Sequence, residues 1–318
     1  MRVGFIGLGN VGGKLSGSLL RNGVALTVLD LNPDLVAAKV AEGALAAADA
    51  SQLMRDCDVV ITCLPNPAAS DVVMQQMLPE ISTGKIWMEM STTDADEVRR
   101  LGGLVAARGG AAVDCPVSGG CHRADTGNIS IFAGCEREAF DRILPLLTVM
   151  GRRILHTGEL GSASILKVIT NYLATANLVS CAEALTVAKG AGMDLGVTYE
   201  AIKMSSGTSF VHETESQVIL NGSRDISFTM DLVAKDIGLF QDVADRANIA
   251  LDISPLLVGI FADGIERYGP RELSPNIIRR LEDATGLDIR AQGFPAEMSD
   301  DEPEEAGGEV RVARQAAV

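Results

Sequence analysis

The apolar residues of this chain fall into two regimes. Up to about residue 150 they come in short runs at 2–6 (RVGFI), 25–30 (ALTVLD), 57–64 (CDVVITCL), 85–90 (KIWMEM), 111–114 and 129–133. Between the runs lie amphipathic stretches at 14–22, 33–42, 68–78 and 94–108, the first closed by Gly23 and the second opened by Pro33. Short apolar runs bounded by turn residues predict buried strands, and a 3.6-residue period predicts helices. Strands and helices in alternation predict a parallel, doubly wound α/β sheet. After Gly151 the strand-like runs stop. Helices alone are expected from there on, at 161–190, 194–206, 231–247, 254–268 and 275–284.

The stretch 161–190, GSASILKVITNYLATANLVSCAEALTVAKG, is apolar on nearly every side. A helix without a wide polar face is either buried or a membrane span. The uncharged run from Val168 to Ala182 falls short of the roughly 20 apolar residues a span needs, and Thr, Asn and Ser interrupt it. As a helix the whole stretch would measure about 42 Å, the thickness of a domain, so it is expected to run between two domains. Lys167 is the last charge before the apolar run, and Asn171 follows one turn later, so ammonium and amide share a helix face. A lone lysine at such a place is ordinarily just solvated; the rest of the chain gives this one more weight.

The 318 residues allow two domains. The net charge of −15 argues against a nucleic-acid surface, which needs a basic patch, although much of that charge lies in the final two dozen residues. Gly293–Val318 is polar, acidic and poor in aromatics, a composition that predicts a disordered tail. The opening MRVGFIG runs straight into a strand-like segment, so no signal peptide is expected. The six cysteines show no CxxC pairing and no Cys/His ligand cluster. Reduced thiols in a cytoplasmic protein are expected, with Cys57, Cys63, Cys115, Cys135 and Cys181 in the core and Cys121 oxidation-sensitive only if exposed.

Gly7-Leu8-Gly9-Asn10-Val11-Gly12 is a GxGxxG pattern. Glycines let such a loop turn tightly and approach a pyrophosphate, whose charge then sits at the positive end of the next helix. The pattern alone is weak in a chain with 33 glycines. Here it follows a strand and opens a helix, and Asp30 lies eighteen residues past Gly12 at the end of the second strand, where a carboxylate meets the adenosine ribose hydroxyls. Asp30 would repel a 2′-phosphate and Leu31, Asn32 and Pro33 offer no arginine to hold one, so NAD is favoured over NADP.

Four motifs together resemble the β-hydroxyacid dehydrogenase family, of which 3-hydroxyisobutyrate dehydrogenase is the best-known type. They are GLGNVGGKLSGSLLRNG at 7–23, DCPVSGGCHRADTG at 114–127, GSASILKVITN at 161–171 and KDIGL at 235–239, and the match runs from residue 2 to about 290. The resemblance implies an N-terminal Rossmann domain over 1–160 and an all-α substrate and oligomerisation domain over 161–292, beginning with the interdomain helix. It implies that Lys167 is the catalytic acid/base, that Asn171 hydrogen-bonds substrate, and that Ser118, Gly119 and Gly120 hold the substrate carboxylate. Lys235 would lie near the nicotinamide and substrate, and Leu64, Pro65 and Thr92 would border the cofactor. The site itself is expected in the cleft between the two domains.

The chemistry is coherent on its own terms. Oxidising an alcohol removes a hydroxyl proton as hydride leaves the carbon, and the reverse reaction needs a cation to stabilise and protonate an alkoxide. A lysine at an apolar seam would be desolvated, which lowers its pKa toward a useful range, and the cationic Lys235 would push the same way. No metal-ligand set is visible, so lysine rather than zinc carries this role.

Ala163 and Thr170 depart from the family pattern, which has Gly and Asn there. Cys121, His122 and Arg123 stand where small residues are usual; His122 and Arg123 either face solvent or Arg123 reads a second anionic group, since its planar fork suits carboxylate, sulfonate or phosphate. Gly207–Phe210 and Phe228 are candidates for shaping specificity, Phe228 equally for the core. The expected activity is NAD-dependent hydride transfer at the 3-hydroxyl carbon of a small β-hydroxy acid in a homodimer or homotetramer, with no nucleic-acid or membrane partner. The alternatives are a reductase of a semialdehyde bearing a second anion, of tartronate semialdehyde or sulfonate type, and a non-catalytic NAD-binding sensor.

Overall fold

The computed structural model describes residues 1–312. The first strands and helices are β1 (Val3–Ile6), α1 (Gly12–Arg21), β2 (Leu26–Leu29), α2 (Pro33–Ala41), β3 (Leu45–Ala46), α3 (Ala50–Asp56), β4 (Val59–Thr62), α4 (Pro67–Met77), β5 (Ile86–Glu89), α5 (Ala95–Ala106) and β6 (Ala111–Asp114). Then come β7 (Val117–Ser118), α6 (Cys121–Asp125), β8 (Ile129–Gly134), α7 (Arg137–Met150), β9 (Gly151–Gly158) and α8 (Ser162–Gly190). Helices α9 (Leu195–Lys203), α10 (Phe210–Asn221), α11 (Met230–Arg246), α12 (Ile253–Tyr268) and α13 (Arg279–Thr285) follow, and β10 (Gly308–Glu309) closes the described chain.

Side-chain caps start many of these helices. Asn32, Asn66 and Asp94 each accept a backbone N–H from the first turn of α2, α4 and α5, and Pro33 and Pro67 occupy the first helical positions of α2 and α4. The strands run β3–β2–β1–β4–β5–β6, all parallel, which is the doubly wound order with its switch point between β1 and β4. Beyond β6 the sheet is mixed. β8 is antiparallel to both β6 and β7, and β9 and β10 continue it in parallel.

Alternate residues of a strand serve opposite faces of the sheet. Val3, Phe5, Val59 and Ile61 pack with Leu15 and Leu19 of α1 and with Phe140, Ile143 and Leu147 of α7. Ile6 and Val60 pack the other way, with Leu53 of α3, Met74 of α4 and Leu101 of α5. A separate core joins Leu178, Ala182 and Leu185 of α8 to Tyr199, Ile219, Val233, Ile237 and Phe261 of the helices that follow.

The chain divides into two compact units, residues 1–167 with 300–318, and residues 168–299, so the division falls within α8 between Lys167 and Val168. By length and composition α8 is also long and apolar enough to cross a membrane, although the uncharged run alone is shorter. Leu178 and Leu185 of α8 are instead buried in the second core, while Leu173 and Val187 are exposed.

The short strands β3 and β7 and the helices α3, α6 and α7 are not among the expected elements, and three further departures bear on the rest of the chain. Strand β9 lies beyond Gly151, where helices alone are expected; Arg152 and Arg153 mask its alternation, and pairing with β8 and β10 supplies what local propensity lacks. Helix α10 opens on a polar stretch and is held by the Ser209 cap on the His212 N–H. The acidic segment after residue 293 is the largest departure. Among the described residues, Asn221 and Ser223 hydrogen-bond to the carbonyls of Phe294 and Ala296, and residues 300–310 lie along the first unit. Composition missed this because the acidic side chains find basic partners rather than an apolar core. Gly307 approaches so closely that a Cβ there would fall 1.9 Å from the Gly151 carbonyl oxygen. Residues 313–318 of the expected tail lie outside the described part.

Candidate active site

The carboxyl ends of β1, β2, β4 and β5 bring the expected cofactor residues together. Gly7 takes φ +95°, and a Cβ there would meet the Cys63 carbonyl oxygen at 2.2 Å, so the Gly-rich turn lies directly against the loop after β4. Gly12 is equally confined, its Cβ position falling 2.0 Å from the Gly7 carbonyl oxygen. The Leu8 N–H donates to Asp30 Oδ2 at 2.6 Å and the Asn32 N–H to Asp30 Oδ1 at 2.8 Å, which fixes the carboxylate beside the loop. On the other side the Leu64 N–H donates to Ser91 Oγ at 2.7 Å, which sets Leu64 and Pro65 next to Thr92.

Ser91 is positioned in turn by Glu89, a buried carboxyl whose Oε1 accepts from both the Ser91 N–H (2.9 Å) and its hydroxyl. Burial pushes the Glu89 pKa up against these bonds. Sequence reading passed over Glu89 as one residue of a strand. Its signal was a carboxylate inside an otherwise apolar run.

A dinucleotide fits this end of the sheet. At Gly9 an added Cβ would meet nothing within 4 Å, so the loop presents bare, open backbone there. Helix α1 begins with no side-chain cap and no acidic residue in its first turn, which leaves its positive end suited to a pyrophosphate.

The second group of candidates follows β7. Gly119 and Gly120 take φ +129° and +87°, a pair of conformations open to glycine and strained for other residues, and they turn the backbone sharply after Ser118. Cys121, His122 and Arg123 are half-buried rather than turned to solvent. The His122 ring packs on Gly120, the Arg123 stem on Gly119, and Arg123 Nη2 pairs with Glu302 Oε1 at 3.1 Å. Burial, with the nearby Arg123 charge, lowers the His122 pKa. Cys121 and Cys63 are half-buried and the other four cysteines buried, so Cys63 is less enclosed than expected.

Lys167 is buried, only 8% exposed, one turn before Asn171 on α8. The start of that helix is tied to β6: the Ser164 N–H and Oγ donate to Asp114 Oδ2 and Oδ1, 2.7 Å each. In the second unit, Asn171 Nδ2 donates to Asp236 Oδ2, and Lys235 Nζ lies 2.9 Å from Asp236 Oδ1. Asp236 is therefore the residue that gathers Asn171 and Lys235; the sequence reading gives it no role, although it stands beside Lys235 in the KDIGL motif. Phe210 opens α10 and is 47% exposed, whereas Phe228 packs against the second core.

Comparison with known proteins matches this layout. Residues 2–158 fit the model of the NAD-binding domain of 6-phosphogluconate dehydrogenase, and residues 161–281 fit that of the NAD-binding region of NADP-dependent 3-hydroxyisobutyrate dehydrogenase. The 2-(hydroxymethyl)glutarate dehydrogenase of Eubacterium barkeri is 32% identical, over 91% of this chain and 97% of its own. The chain belongs to the β-hydroxyacid dehydrogenase family. Within that family the NAD-dependent L-serine dehydrogenase of Pseudomonas aeruginosa is also 32% identical, over 89% of this chain and 98% of that one. The solved structure of a Salmonella typhimurium 3-hydroxyisobutyrate dehydrogenase superposes with a TM-score of 0.80 at 28% identity, covering 88% of this chain and 99% of that chain. The protein is thus a nicotinamide-dinucleotide-dependent dehydrogenase acting on CH–OH donors, with a small-molecule substrate.

Proposed function

We propose that this dehydrogenase oxidises the 3-hydroxyl of a small monoanionic β-hydroxy acid with NAD, using Lys167 as general acid/base. The observation that carries the reading is the burial of Lys167 one turn before Asn171, on a helix whose start is anchored by Asp114. The bound nicotinamide supplies the hydride acceptor. Lys167 takes the hydroxyl proton as the carbonyl forms and returns it in the reverse direction. Asp236 accepts one N–H of the Asn171 amide, so the amide cannot flip without setting its oxygen against a carboxylate; its orientation toward the hydroxyl is thereby fixed. The Ser118 hydroxyl and the N–H groups of Gly119 and Gly120 hold the substrate carboxylate. Lys235, paired with Asp236, supplies positive charge beside substrate and nicotinamide.

The preference for NAD rests on Asp30, fixed by two backbone N–H groups where a 2′-phosphate would have to approach. We place the protein in the cytoplasm. A homodimer or homotetramer is supported by the apolar residues Leu173, Val187, Val197, Ile253 and Leu256, all exposed in the single chain.

The test is NADH formation with 3-hydroxyisobutyrate, L-serine, glycerate and 3-hydroxypropionate, by wild type and Lys167→Ala. Turnover should fall by about three orders of magnitude or more in the variant with NADH affinity retained. Equal turnover in both would remove Lys167 from the mechanism. Tight NADH binding with no turnover of any 3-hydroxy acid would favour a sensor.

A further inference from the structure

We propose that the acidic segment 300–305 is a built-in specificity element: its Glu302 occupies the guanidinium of Arg123, so that the adjoining loop refuses substrates carrying a second anionic group. The proposal rests on the reading of Ser118–Gly120 as the loop that holds the substrate carboxylate.

Arg123 lies directly on that loop. A Cβ built on Gly119 would sit 3.4 Å from Arg123 Cδ and 3.9 Å from its Cβ, so the arginine stem covers the glycine. From there a guanidinium fork is well suited to a second carboxylate or a sulfonate. In this chain its Nη2 donates instead to Glu302 Oε1, at 3.1 Å.

An isolated surface ion pair is a weak restraint, screened by salt. Glu302 is not isolated. Asp300 Oδ2 accepts from Thr126 Oγ1 and from Asn128 Nδ2 (2.8 Å), and Asn128 Nδ2 also donates to the Glu302 carbonyl (2.9 Å). Asn128 is itself buried, so these bonds grip the far end of the short helix that carries Arg123. Further along, Glu304 lies 3.5 Å from Arg21 and Glu305 2.5 Å from Arg152, and the Gly307 N–H donates to the Thr148 carbonyl at 2.8 Å. Strand β10 then pairs with β9. Contacts on both sides of Glu302 keep its carboxylate near Arg123, and a second substrate anion brought there would meet Glu302 and Asp300 as like charges. A carboxylate from this chain thus fills the place a diacid's second carboxylate would take.

The experiment uses the full-length enzyme with NAD. The ratio of kcat/KM for 2-(hydroxymethyl)glutarate to that for 3-hydroxyisobutyrate is measured in wild type, Glu302→Gln, Glu302→Gln with Arg123→Ala, and Glu297→Gln, a charge control at an exposed residue outside the segment. Calorimetric titration of the NAD complex gives the affinity ratio of glutarate, a dianion, to butyrate, a monoanion, for the same proteins. Glu302→Gln should raise both ratios about tenfold, adding Arg123→Ala should cancel the rise, and Glu297→Gln should leave both ratios at the wild-type level. Ratios unchanged by Glu302→Gln, a gain that survives Arg123→Ala, or an equal gain in Glu297→Gln would each overturn the proposal. If no variant turned over either hydroxy acid, the proposed β-hydroxy acid reading would fall by itself, and the glutarate-to-butyrate affinities would still decide the role of Glu302.

Discussion

Asp114 accepts two hydrogen bonds from Ser164, one from the backbone N–H and one from the hydroxyl, each 2.7 Å long. This links the end of β6 to the first turn of α8, three residues before Lys167. Burial pushes the Asp114 pKa up to about 6 from 3.8, outweighing the opposing Ser164 bonds. Because the folded value is raised, the folded state holds the proton more tightly than the unfolded chain. The contribution to stability is full below about pH 4 and is lost as pH rises through about 6, on the order of 3 kcal/mol in all. Asp114→Asn, which cannot ionise, should show its largest deficit against wild type near pH 4 and a smaller one at pH 7, read by urea unfolding. A deficit that grew with pH would show that the fold favours the carboxylate anion.

Gly9 and Gly12 should separate cofactor binding from folding. Gly12→Ala forces a methyl to within 2.0 Å of the Gly7 carbonyl oxygen, so melting temperature and NADH affinity should fall together. Gly9→Ala has open space on the protein side and should melt within about 2 °C of wild type. NADH affinity, measured by fluorescence titration, should nevertheless drop tenfold or more, because the methyl occupies the approach of the pyrophosphate. Undiminished affinity in Gly9→Ala would place the cofactor elsewhere.

Asp30→Ala removes the proposed ribose acceptor and releases the Leu8 and Asn32 N–H groups. The kcat/KM for NAD should decline by about 10- to 100-fold, and the NADP-to-NAD ratio should rise, since a carboxylate no longer repels the 2′-phosphate. A ratio that stayed constant would mean that selectivity is set by other residues.

On the proposed mechanism Asp236 acts through Asn171 and Lys235 as a positioning residue. Asp236→Ala should raise the KM for hydroxy acid by about tenfold or more while NADH affinity changes less than threefold, because an amide without its anchor no longer holds one orientation. Asp236→Glu should recover part of the loss. Equal losses in cofactor and substrate binding would point to a general collapse of α11 against α8.

Much of the proposed site rests on what the sequence shows before any coordinates. The Gly-rich turn and Asp30 could be placed because both ride on the strand–turn–helix grammar of a single βαβ unit, within one short stretch of chain. Lys167, Asn171, Ser118–Gly120 and Lys235 came from motif resemblance. The network around them was much less visible, since Glu89–Ser91–Leu64 joins three loops and Asp114–Ser164 spans fifty residues of sequence. Such pairs carry no local pattern.

The sequence alone determined the alternation of strands and helices, the dinucleotide loop and the run of helices from α8 to α13, because each follows from hydrophobic period and turn chemistry over a few consecutive residues. Tertiary structure alone decided where the acidic C-terminal stretch goes and what Arg123 faces. Low hydrophobicity and high charge predict disorder for that stretch, but the prediction cannot see arginines at positions 21, 123, 137 and 152 that the fold sets in a row beside it. Whether a charge is solvated or paired depends on which residues lie opposite it, and that depends on the fold.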